Sequence, residues 1–211
     1  MDPKKIGYEN LAKTIIKKLE VRGMAGYYCD TKEDALAKAL ELMEKGSSIT
    51  WGGSETLKEI GIFEAIRNRD YELYDRDTAV TPEEKRAFYG KAVTADYFLM
   101  STNAITHDGQ LVNIDGTGNR VACLIHGPQN VIVIAGMNKV AKDVEAAIDR
   151  AHDIAAVPNA VRLNMDTGCR EFGKCIDCLK EDCICCHTVV TRMSRVKNRI
   201  KVILVGEELG Y

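Results

Sequence analysis

The stretch STNAITHDGQLVNIDGTGNRVA, residues 101–122, holds two different turns. Ala104–Thr106 and Leu111–Ile114 are short extended runs flanking His107-Asp108-Gly109-Gln110. An Asp-Gly pair between such runs signals a hairpin. The second run leads into Asp115-Gly116-Thr117-Gly118-Asn119, and a helix is expected from about Asn119 to Ile125. The chain therefore leaves a strand through a glycine turn and enters a helix. Glycine lets backbone N–H groups approach a ligand closely, and a helix start adds partial positive charge.

The same alternation extends in both directions. Upstream, residues 4–22 read as an amphipathic helix, with Leu11, Ile15, Ile16 and Leu19 at helical spacing. Met24–Cys29 reads as a strand, and Thr31 caps a second helix carrying Ala35, Leu36, Ala39, Leu40 and Met43. Ser47–Trp51 is a strand running into Gly52-Gly53-Ser54, and a helix is expected from about Thr56 to Asn68. Then come a strand at Tyr71–Tyr74, a helix at Pro82–Thr94 and a strand at Tyr97–Ser101. Downstream, VIVIA (131–135) is the most strand-like run, followed by an expected helix over Lys139–Ala155 and a closing strand at Ile200–Val205. Strands alternating with helices imply an α/β fold with a largely parallel sheet and helices on both faces. Ligands of such sheets bind at the C-terminal strand ends, where strand order reverses. One domain is expected, with an N-terminal helical part (1–46), an α/β core (47–160), a cysteine-rich segment (161–199) and the closing strand (200–211).

Bulk properties narrow the function classes. The 211 residues are 45% hydrophobic, enough for a sizeable core. Net charge is −2 with both signs mixed, which argues against nucleic acid. No apolar run approaches the roughly 18 residues that span a bilayer. MDPKKIGYEN lacks the apolar core of a signal peptide, so a cytoplasmic location is expected, where thiols stay reduced.

Two glycine loops, Trp51–Thr56 and Asp115–Asn119, side by side would form a pocket for a phosphate or carboxylate. Ser54, Thr56, Thr117 and Asn119 offer side-chain hydrogen bonds. Each loop alone also reads as an ordinary strand–helix turn with a cap. Nothing matches GxxxxGK[ST], and Gly116-Thr117-Gly118 lacks the third glycine of a dinucleotide fingerprint, so no nucleotide is indicated. Asp115 suits a general base or a sugar-hydroxyl acceptor, or else an Asx-turn acceptor holding the loop. Lys139 suits an anion partner, or else a solvated lysine in a first helical turn. Glu55 favours a helix start by the dipole alone. The histidines at 107, 126, 152 and 187 form no readable triad.

CREFGKCIDCLKEDCICCH (169–187) packs six of the eight cysteines into one segment. Cys175-Ile176-Asp177-Cys178 is a CxxC knuckle that can hold one tetrahedral ion with two further ligands. Candidates are Cys169 upstream and Cys183, Cys185, Cys186 and His187 downstream. Four thiolates suit zinc or a [4Fe–4S] cluster. Idle thiols and a disulfide are the other readings. Cys29 and Cys123 sit in apolar context and read as core residues.

WGGSETLKEIG (51–61), STNAITHDGQLVNIDGTGNRVA (101–122), GPQNVIVIAGMNKV (127–140), CREFGKCIDC (169–178) and VILVGEELGY (202–211) together resemble the LUD-domain family, lactate utilization protein C type. The resemblance spans nearly the whole chain. It implies the fold shared by ribose-5-phosphate isomerase, glucosamine-6-phosphate deaminase and CoA transferases. It also implies a link to oxidation of L-lactate to pyruvate, alongside a partner subunit carrying iron–sulfur clusters. The second motif is similar to methylthioribose-phosphate isomerases. By motif position, Gly52, Gly53, Ser54, Asp115, Gly116, Thr117, Gly118 and Asn119 become pocket candidates. Cysteines of short LUD proteins fall at Cys169, Cys175, Cys178 and Cys185. Three readings follow. The first is a LUD protein of lactate or hydroxy-acid metabolism binding a small anionic metabolite. The second is an isomerase or transferase on a phosphosugar or acyl-CoA using Asp115. The third is a metal- or redox-dependent module docking on an iron–sulfur partner. A homodimer is the default assembly.

Overall fold

The computed structural model describes residues 2–211. Helices α1 (Pro3–Val21) and α2 (Lys32–Glu41) flank strand β1 (Ala25–Cys29). Strand β2 (Ser48–Trp51) is followed by α3 (Glu55–Glu59), α4 (Ile62–Arg67), β3 (Glu72–Tyr74), α5 (Pro82–Ala92) and β4 (Tyr97–Met100). The hairpin of β5 (Ala104–Thr106) and β6 (Leu111–Asp115) leads to α6 (Asn119–Ile125), β7 (Asn130–Gly136) and β8 (Val140–Ala141). The chain ends through α7 (Val144–Arg150), α8 (Ala156–Arg162), α9 (Gly168–Phe172), β9 (His187–Thr191) and β10 (Ile200–Val205).

Six strands form one parallel sheet in the order β1-β10-β7-β4-β2-β3. Its central strands are apolar on both faces, as a doubly covered sheet requires. Successive side chains alternate between two cores. Phe98, Met100, Val131, Val133, Val202 and Leu204 pack with Ile15 and Leu19 of α1 and Leu124 of α6. Leu99, Ile132, Ile134 and Ile203 pack with Ala35 and Ala39 of α2, Leu57 of α3 and Ile62 of α4. The expected α/β fold is therefore present.

A second sheet, β8-β5-β6-β9, stands beside the first and packs on α7 through Ala104, Val112 and Ala147. The Asp108-Gly109 hairpin forms as read, with β5 and β6 antiparallel. The strand β9 was not expected; it pairs antiparallel with β6 from Leu111↔Thr191 to Asp115↔His187.

Two expected helices differ. The one over Thr56–Asn68 is split into α3 and α4 at Gly61, whose φ is 74°. The one over Lys139–Ala155 starts later. Lys139 ends a short 3-10 turn, and β8 pairs parallel with β5 before the helix begins. Asp143 then caps α7 by accepting from the Ala146 N–H at 2.9 Å. The helix runs through one π turn, Ala151–Ala155, into α8 and ends at Arg162.

The topology fixes where a ligand can sit. After β2 the chain crosses to β3 on one side; after β4 it leads on towards β7 on the other. The C-terminal ends of β2 and β4 are thus the point where strand order reverses, the usual ligand crevice of an open parallel sheet.

Candidate functional site

A cleft of about 470 Å³ opens at that point. Its floor is made by the residues that leave the strands: Gly52–Thr56 after β2, Ser101–Asn103 after β4, Asp115–Thr117 after β6 and Lys139 after β7. Its walls are the π turn with α8, the segment Glu181–Cys186 and the final pair Gly210-Tyr211. The structure therefore brings together both glycine loops, Asp115, Lys139 and part of the cysteine segment. Gly52, Gly53, Ser54, Thr56, Gly116, Thr117 and Asn119 all line the cleft. Gly118 does not; its φ of 81° makes the turn into α6, and a Cβ there would meet the His187 ring at 3.4 Å. Ser54 is committed to α3, accepting from the Leu57 N–H at 3.3 Å.

Lys139 is the most unusual group in the cleft. It is 4% exposed. Its ammonium nitrogen donates to Thr56 Oγ1 at 2.9 Å and to Ser101 Oγ at 3.0 Å. It takes part in no ion pair among the described residues. Both hydroxyls send their own protons elsewhere, Thr56 to the Leu209 carbonyl at 3.3 Å and Ser101 to the Thr102 carbonyl at 3.4 Å. They are thus fixed as acceptors towards the amine. Burial strips the ammonium of water, and Arg150 and Arg120 repel it, with Glu59 opposing weakly; its pKa falls from 10.5 to about 7. The lysine is not the solvated first-turn residue of the alternative sequence reading.

Arg120 has the opposite surroundings. Its guanidinium donates to Asn113 Oδ1 at 2.6 Å, Asn103 Oδ1 at 2.9 Å, the Ile114 carbonyl at 2.9 Å and the Ser101 carbonyl at 3.3 Å. Asp115 Oδ2 lies 3.3 Å from Nε, and the same oxygen accepts from the Val121 N–H at 3.3 Å. Burial draws the Arg120 pKa down while Asp115 holds it up. Gly52 makes room for this side chain, since a Cβ there would sit 3.2 Å from two of its carbons. Arg150 similarly ties two loops, donating to the Asn138 and Asn103 carbonyls. Thus Arg120 and Arg150 brace the floor, and Asp115 is occupied with Arg120 and the start of α6. Sequence reasoning missed Ser101, Asn103, Arg120, Arg150 and Tyr211. The one local signal was the polar triple Ser101-Thr102-Asn103, directly after four apolar residues of β4.

The cysteine segment lies over the second glycine loop. The Cys186 N–H donates to the Asp115 carbonyl at 3.0 Å, extending the β6–β9 pairing. Cys183, Cys185 and Cys186 line the cleft; Cys169, Cys175 and Cys178 do not. The Cys185 thiol is pushed up to about 12, first by burial and then by the thiols of Cys183, Cys169, Cys175 and Cys178 around it. Cys175 Sγ lies 3.5 Å from His152 Nδ1 in the π turn, and the Cys175 N–H donates to Asp153 Oδ1 at 3.2 Å. All eight cysteines are unpaired. The donors are chemically suited to a soft metal. As they stand, however, no group of three or more His, Cys, Asp or Glu side chains among the described residues could hold a metal ion. Cys29 and Cys123 are buried in the two cores, and burial pushes each thiol up to about 11.

Among the described residues no helix is long and apolar enough to cross a membrane. No curated protein matches the chain. A DUF162-family protein from Deinococcus radiodurans has a similar structure, with a TM-score of 0.54 and 13% identity over 94% of this chain and 98% of that one. That likeness concerns the fold. The delta subunit of eIF2B from Chaetomium thermophilum gives a TM-score of 0.36 at 15% identity, over 68% of this chain and 57% of that one. The family model described as the LUD domain matches residues 12–205, which takes in both glycine loops, Lys139 and the cysteine segment. The chain belongs to the LUD domain family.

Proposed function

We propose that the cleft binds a small carboxylate of the hydroxy-acid class, with Lys139 as its charged anchor, in the service of lactate or related hydroxy-acid utilization. The family's general association with lactate utilization supports the process. The observation that carries the binding role is Lys139 itself, a nearly buried cation held by two hydroxyls with no carboxylate partner. A buried charge of this kind is normally paired or neutralised. An anion bound in the cleft would pair with this charge.

The sign of the pH dependence follows. An anion selects the protonated amine, so affinity is level below about pH 7 and falls as pH rises above it. Calorimetric titration with L-lactate is expected to show roughly a tenfold loss per pH unit on the alkaline side and uptake of protons near neutrality. Binding that holds steady well above neutral pH would remove Lys139 from the role.

A chain that only binds the acid needs an electron acceptor elsewhere, which suits an iron–sulfur partner subunit. Phosphosugar or acyl-CoA chemistry through Asp115 is less favoured, because Arg120 and the Val121 N–H already occupy that carboxylate. A second reading concerns the thiols around Cys185, a soft donor set. Zinc or a [4Fe–4S] cluster held by Cys169, Cys175, Cys178 and Cys185 would require those side chains to draw together. Elemental analysis and an absorption spectrum of protein purified without oxygen would test it, against a Cys175→Ser/Cys178→Ser variant. The expected result is about one zinc, or about four iron with a broad visible band, per chain, lost in the variant. Metal-free protein in both preparations would end this reading.

A further inference from the structure

We propose that Lys139 also acts as a nucleophile, condensing reversibly with the carbonyl carbon of a 2-oxo acid to form an imine in the same cleft. This deepens the carboxylate-binding reading and rests on it. Three observations carry it. First, the amine is held by two hydroxyl acceptors and no carboxylate, so its neutral form keeps an unengaged lone pair. Second, two arginines are anchored on residues next to the amine, Arg120 on the carbonyl of its own acceptor Ser101 and Arg150 on the Asn138 carbonyl, and both favour loss of its proton. A desolvated lysine next to other cations is the general arrangement that makes an amine nucleophilic near neutral pH. Third, the amine faces a cavity of about 470 Å³, ample for a three- or four-carbon acid.

Tyr211 also lines the cleft, and burial raises its phenol pKa while Arg162 beside it opposes that shift. Gly210, next to it, packs closely on Thr56 and Lys139. Its φ is 56°, and a Cβ there would come within 3.3 Å of the Lys139 nitrogen.

The step balances without any redox partner. The amine lone pair forms a bond to the C2 carbonyl carbon, and the carbonyl oxygen takes up a proton to give a carbinolamine. The C2–O bond then breaks, water leaves, and the C=N bond that remains is protonated. The positive charge lost from the ammonium is restored on the iminium, one bond from the acid's carboxylate. A 2-hydroxy acid has no carbonyl at C2 and cannot form the imine. The site would therefore distinguish the two oxidation states of one acid, holding the oxidised form covalently.

The test uses the full chain with pyruvate as probe. Protein is incubated with pyruvate and sodium cyanoborohydride, which reduces an iminium to a stable secondary amine, and the product is mapped by peptide mass spectrometry. Pyruvate binding is measured in parallel by calorimetry. The expected result is one reduced adduct per chain on the peptide holding Lys139. No adduct is expected with L-lactate, nor with Lys139→Arg, whose guanidinium cannot form an imine. If that variant does not fold, the mapped position in the natural protein still decides. Pyruvate binding without an adduct, or an adduct confined to other lysines, would overturn the imine while leaving the carboxylate site intact. Neither binding nor adduct would overturn both.

Discussion

Replacing Lys139 with methionine is expected to stabilise the folded protein at pH 7 while abolishing lactate binding. The wild-type lysine is depressed from 10.5 to about 7. The unfolded chain therefore binds an extra proton throughout the window between those values, and stability rises with pH across it. Below pH 7 the full cost of burying the ammonium is present, on the order of 5 kcal/mol. Methionine is unbranched, one atom shorter, and removes the charge. The two lost hydrogen bonds return about 1 kcal/mol each, because Thr56 and Ser101 keep their own acceptors. The net gain is then about 1–3 kcal/mol near neutrality, shrinking as pH approaches 10.5. Denaturant unfolding at ~pH 6 and ~pH 9 measures both the gain and its decay. A variant less stable than wild type at every pH would show that the hydrogen bonds outweigh the burial cost. Function that is kept at the expense of stability is a common signature of a binding site.

Arg120→Met is expected to act in the opposite direction and by more. The side chain satisfies four oxygens and one carboxylate, and its removal leaves the largely enclosed Asp115 without a counter-charge. Breaking a buried pair by removing one partner costs about 3–5 kcal/mol. Asp115 keeps only the Val121 N–H, so adding Asp115→Asn to Arg120→Met is expected to recover about 1–2 kcal/mol. A double-mutant cycle by denaturant unfolding reads that coupling. Additive losses would mean that the ion pair contributes nothing beyond the hydrogen bonds to Asn103 and Asn113. The two substitutions thus differ in the sign of their expected effect: Arg120 meets four oxygens and a carboxylate, whereas Lys139 meets two hydroxyls and no carboxylate.

Much of the scaffold was legible because its signals are local. VIVIA and the run before Gly206 read as buried strands, and Asp108-Gly109 read as a hairpin turn; all three form. The position of Lys139 was not legible. Apolar residues at helical spacing continue from Val140 to Ala151, so periodicity alone extends the helix back to Lys139. Pairing of Val140-Ala141 with β5 removes those residues from it, and that partner is about 35 residues away in sequence. The same non-local pairing hid β9, whose residues His187–Thr191 acquire their meaning only beside β6. Arg120 looked like any arginine in a helix's first turn. Its burial depends on Gly52 from the other glycine loop, a packing event no window of sequence contains. The glycine loops were legible as a pair because both obey the strand–turn–helix pattern. Their convergence with the cysteine segment follows from the crossover order.

The central claim is that Lys139, buried and hydrogen-bonded to two hydroxyls but to no carboxylate, binds a small carboxylate. Its titration followed by NMR on protein with isotope-labelled lysine side chains, without and with L-lactate, tests this most directly. One lysine, absent from the spectrum of Lys139→Met, is expected to titrate near the value of about 7 in the free protein and to move upward when lactate binds. If every lysine titrates near 10.5, or if the low one does not respond to lactate, the cleft is not the carboxylate site described here.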